Sequence, residues 1–65
     1  MLSLDASYYL AHNNRGIIFQ VVKKDFNRAI AEYTEALRIS PNYAPALYNR
    51  GVSKEMLGDL SLIHI

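Results

Sequence analysis

Two histidines, His12 and His64, are the only imidazoles in a 65-residue chain that has no cysteine. A structural zinc site needs four closely spaced Cys or His donors, and neither histidine has such company. Neither a metal nor a cofactor is expected. Nucleophilic chemistry lacks its setting too, because no serine stands in the glycine-flanked elbow that exposes a reactive hydroxyl. Gly16, Gly51 and Gly58 are isolated glycines, not a loop that could cradle phosphate. Lys23-Lys24 reads as a solvated loop rather than an anion site. Five tyrosines could stack on bases, but the charge balance argues against a nucleic-acid surface. No catalytic constellation emerges, and the chain is not expected to be an enzyme.

Charge and length narrow the remaining classes. Seven Lys and Arg against six Asp and Glu leave +1, too little for a nucleic-acid footprint. The most apolar stretch is Ile17-Ile18-Phe19, with Val21-Val22 beyond Gln20. That is far short of the roughly 20 residues that span a bilayer. Met1 to Asp5 carries no basic leader region, so a soluble, cytoplasmic chain without membrane contact is expected. A chain this short buries only about 60% of its unfolded surface, which allows one thin packing unit.

Breakers and periodicity then supply the elements. Phe26, Ala29, Ile30, Tyr33, Ala36 and Leu37 recur at the three- and four-residue steps of one helical stripe. Asp25 can cap this helix, and Pro41 stops it by lacking an N–H and forcing Ser40 out of helical geometry. Glu32 and Glu35 are expected on its solvent side. A further helix is expected from about Tyr43 to Leu57, capped by Asn42, with Pro45 in its first turn and Gly58 as its stop. The first segment is less tidy, since Gly16 to Val22 is β-branched enough to pass for a strand taken alone.

An internal repeat decides between the two. Asn14-Arg15-Gly16 recurs as Asn49-Arg50-Gly51, a step of 35. Leu2 and Leu37, Tyr8 and Tyr43, and Ala11 and Ala46 share that step. Asp25-Phe26 recurs as Asp59-Leu60 at a step of 34, so one extra residue lies between Gly16 and Asp25. Two helices per period of this length describe a solenoid. Three helices are expected, near 7–23, 26–40 and 43–57.

These residues resemble the tetratricopeptide repeat (TPR) family. His12, Arg15, Gly16 and Phe19, then Ala29, Tyr33, Ala36 and Pro41, stand at the family's spacing. Leu47, Arg50, Gly51 and Lys54, then Leu57-Gly58-Asp59, open a second unit. His12 replaces a large apolar residue, and Lys54 replaces an aromatic. The resemblance implies an all-α fold, a TPR-type helical hairpin forming part of an α-solenoid. Residues 1–6 would be the tail of a preceding repeat, 7–41 one complete repeat, and 42–59 the first helix of another. Gly16, Phe19, Ala29, Tyr33, Ala36, Pro41 and Gly51 would be structural, the small ones placed where helices approach closely.

Leu60 to Ile65 fits that pattern poorly, because Ile63 stands where a small residue like Ala29 is required. The same six residues are what a transposase mosaic-end adapter used in sequencing libraries encodes when translated. They are expected to be a non-native tail on a fragment of a longer array.

The resemblance also implies an interaction scaffold whose first-of-pair helices line a concave, partner-binding face. Carried over residue by residue, that face comprises Asn13, Asn14, Ile17 and Gln20, then Tyr48, Asn49, Val52 and Glu55. Leu10, Val21, Pro45 and Met56 lie beside them. The Asn side chains would hold a peptide backbone, since a carboxamide both donates and accepts; the Asn-Arg-Gly unit reads equally well as helix packing. A carboxylate clamp of the chaperone-binding kind is not expected, because Asn13 and Ile17 occupy its first-helix positions and only Asn49 matches. The alternative is a repeat region appended to an enzyme, such as a glycosyltransferase or kinase, encoded elsewhere. Self-association through exposed repeat ends is a further expectation.

Overall fold

The computed structural model describes the backbone of residues 4–63 and the side chains of residues 8–58. Three helices follow in order: α1 (Leu4–Ile17), α2 (Phe26–Ile39) and α3 (Ala44–Ile63). No strand occurs among the described residues, so Gly16 to Val22 is helical despite its β-branched content. The segment closes as a π-helical turn over Ile18–Val22, continuous with α1. This is where the repeat step changes from 35 to 34. A helix absorbs an inserted residue by widening one turn from i→i−4 to i→i−5 bonding. The Lys23 N–H donates to Ile18 O at 3.1 Å, and Asp25 N–H to Phe19 O at 2.8 Å. The second bond spans one residue more than the usual Schellman closure.

Asp25 starts α2 as expected, its Oδ1 accepting from the Arg28 N–H at 3.2 Å. Ser40 ends α2 with φ −132° and ψ 86°, the extended geometry that a following proline imposes. Two boundaries differ from expectation. α3 begins at Ala44, leaving Asn42 in the preceding turn rather than at the cap. Gly58 does not stop α3, which runs on to Ile63. No left-handed glycine forms there, so the residue behaves as an ordinary helical position. α1 starts at Leu4, so Leu4, Asp5 and Ala6 belong to it; Met1 to Ser3, and His64 and Ile65, lie outside the described residues.

α2 is the central element. Phe26, Ala29, Tyr33, Ala36 and Leu37 are buried along it, and Ala46 of α3 joins them. The contacts Arg28 over the Phe19 ring and Arg15 to Glu32 set α2 antiparallel to α1. The pairs Asn13 with Asn49 and Gln20 with Ser53 set α1 and α3 parallel. Small residues allow this closeness. A Cβ added at Gly16 would lie 2.5 Å from the Tyr33 ring, whereas one at Gly51 would meet nothing within 4 Å. The same repeat position is therefore filled to contact in one unit and open in the other. Tyr9 and Tyr43 close one end of the core edge-to-face, 4.9 Å between centroids.

Candidate functional site

The expected groove residues divide into two sets. Asn14, Ile17, Tyr48 and Glu55 are exposed, and Val52 is half-buried beside them. Leu47, Tyr48, Gly51, Val52 and Glu55 line an open depression of about 430 Å³ on α3. Tyr48 is 73% exposed, which leaves a large amphipathic ring presented to solvent.

Asn13, Gln20 and Asn49 instead form a polar seam between the parallel helices. Asn13 is only 4% exposed and accepts from Asn49 Nδ2 at 3.4 Å. Gln20 Oε1 accepts twice, from the Tyr33 hydroxyl at 2.6 Å and from Ser53 Oγ at 3.0 Å. One carboxamide thus ties all three helices together. Burial pushes the Tyr33 phenol above its ordinary pKa, so it stays a neutral donor to Gln20. Among the described residues, no buried side-chain polar atom lacks a partner. A seam satisfied in this way rigidifies the elements that it joins.

Ser53 was not singled out by sequence, though it is fully buried. Its repeat equivalent is Ile18, so the 35-residue comparison hides it. The available signal was polar spacing: Asn49 and Ser53 lie four apart, and Asn13 and Gln20 seven apart, each pair on one helical face.

Glu32 is a correction. It was expected on the solvent side, but its side chain is 14% exposed and packs against α1. His12 Nδ1 donates to one carboxylate oxygen at 2.7 Å and Arg15 Nε to the other at 2.9 Å. Burial alone would raise the Glu32 pKa, but the hydrogen bonds and charges of His12 and Arg15 outweigh it and hold the carboxyl below its ordinary value. This partnership accounts for His12 at a position where the repeat pattern has an apolar residue. Tyr8, Ala11, His12 and Arg15 line a second depression, of about 280 Å³, on the same helix.

No group of three or more His, Cys, Asp or Glu side chains is arranged to hold a metal among the described residues. No described helix is long and apolar enough to cross a membrane.

Two parallel helices that repeat at a fixed step, with a third wedged between them, define a helical-repeat protein. The TPR repeat family model matches residues 22–58, more than half of the chain, and the chain belongs to that family. The match covers the π turn's last residue, α2 and α3 as far as Gly58. No characterised protein and no solved structure matches the chain. TPR repeats are in general protein-interaction modules.

Proposed function

We propose that this chain is a binding scaffold in which the exposed face shared by α1 and α3 holds a peptide or protein partner. The observation that supports this reading is the contrast between the two sets of groove residues. Asn14, Ile17, Tyr48, Val52 and Glu55 face outward or nearly so, over a seam in which Asn49 bonds to Asn13 and Gln20 to Tyr33 and Ser53. The outer set supplies contact and the seam fixes the spacing of the two helices. Tyr48 is the expected anchor, since an exposed aromatic buries much area at little entropic cost.

Display selection of short peptides against the 65-residue chain provides ligands for the test. Tyr48→Ala should then weaken the selected ligands by roughly tenfold or more, the effect of a moderate hot spot. Asn14→Ala should weaken them by up to about tenfold, one hydrogen bond's worth, with an unchanged melting temperature. Ala29→Leu, at the closed α1–α2 contact, should instead destabilise by about 1–3 kcal/mol. Ligands indifferent to both Tyr48 and Asn14 would refute the proposal.

A further inference from the structure

The π turn and the last residue of α1 leave four apolar side chains in water. Ile17 and Ile18 are exposed, and Val21 and Val22 reach 62% and 72% exposure. In a turn of this width, residues four and five apart lie side by side, so the four make one ridge rather than a scatter. Two lysines follow it directly, Lys23 and Lys24, which sequence alone reads as a solvated loop rather than an anion site and which gain a neighbour in this ridge. Among the described residues neither Lys23 nor Lys24 has an ion-pair partner, because the neighbouring Asp25 caps α2 and pairs with Arg28 at 3.5 Å. Lys24, just past the C-cap, holds φ at 55°, the left-handed conformation that closes a helix end.

On these observations, and resting on the scaffold reading above, we propose that the partner is an acidic–apolar peptide. Its apolar side chains pack on the Ile17-Ile18-Val21-Val22 ridge, and its carboxylates pair with Lys23 and Lys24. Charge complementarity selects this occupant: a ridge ending in two unneutralised ammonium groups repels a basic segment and leaves a neutral one unpaired. An anionic membrane fits less well. Two lysines and a net charge of +1 fall short of the four to eight basic residues typical of lipid-binding clusters.

The test uses the same display selection with a different readout. Selected peptides should be enriched in Asp and Glu next to Leu, Ile or Phe, and should bind more weakly as salt rises. Lys23→Ser with Lys24→Ser should reduce their affinity by roughly three- to tenfold, the range for two exposed ion pairs. Val21→Ser with Val22→Ser should reduce it at least as much, and circular dichroism should show unchanged helicity in both variants. Lys23→Glu with Lys24→Glu should reverse the charge preference in a fresh selection. Selected peptides without acidic enrichment, or indifferent to these changes, would overturn the proposal. If they still depended on Tyr48, the scaffold reading would survive alone. Binding to phosphatidylserine vesicles in preference to every selected peptide would also overturn it, assigning the ridge to a lipid surface.

Discussion

Gly16 and Gly51 make an internally controlled pair. They occupy one repeat position, yet a methyl group at Gly16 would strike the buried Tyr33 ring, whose hydroxyl is already held by Gln20. Gly16→Ala should therefore destabilise by about 1–2 kcal/mol, overpacking outweighing the gain in helix propensity. Gly51→Ala, with open space around it, should be neutral or stabilise by up to about 1 kcal/mol. Urea unfolding of the two variants side by side reads the difference. Lys24→Gly should stabilise by about 1 kcal/mol through relief of its left-handed backbone, and should weaken acidic ligands at the same time. The need for a small residue at Gly16 was legible from the repeat. The opposite burial of its twin was not, because a repeat reports which positions are equivalent and not which are covered.

The elements themselves were largely written in the sequence, and the exceptions have physical causes. Asp25 and Pro41 bounded α2 through capping and steric exclusion, which act over two or three residues. Gly58 misled because a glycine ends a helix only where the backbone turns left-handed, and here it does not. Glu32 misled because its periodicity placed it outside the apolar stripe, while His12 and Arg15 reach across from α1 to claim it. That contact sets a pH dependence. The folded-state pKa of Glu32 lies below its ordinary 4.5, so its stabilising effect is complete above that value. The effect is lost as pH falls through the folded-state value. Glu32→Gln should flatten the acid side of the stability–pH curve, measured by thermal melts. Gln20→Ala should cost about 1–3 kcal/mol, because Tyr33 and Ser53 would both lose their acceptor inside the protein. Ser53→Ala should cost less, as Tyr33 would keep its bond.

The whole molecule is a narrow slab, 52 × 21 × 13 Å. Large apolar side chains stand uncovered along it: Leu47 is 46% exposed, and Leu10, Met56 and the ridge valines are similarly bare. Three or more stacked repeats are usual for stability in such arrays. The 65-residue chain should accordingly melt at low temperature with a shallow transition. Fusing a helix with the 25–40 sequence behind α3, through a turn copied from Lys23 and Lys24, should raise the midpoint by roughly 4–8 °C for each kcal/mol gained. Calorimetry of the fused and parent chains tests this, and an unchanged midpoint would mean that the Gly51 face does not accept such a helix.

The position of α2 between two equivalent helices has a consequence for assembly. α2 fills the Gly16 face of α1 and the Ala46 face of α3. What remains open is the Tyr8–Ala11–Arg15 face of α1, equivalent to the α3 face already covered, and the Leu47–Gly51 face of α3, equivalent to the α1 face already covered. Both vacancies are complementary to a helix of the α2 type and neither is complementary to the other. Among the described helices the two open faces thus have the same parity, each calling for a helix of the other kind.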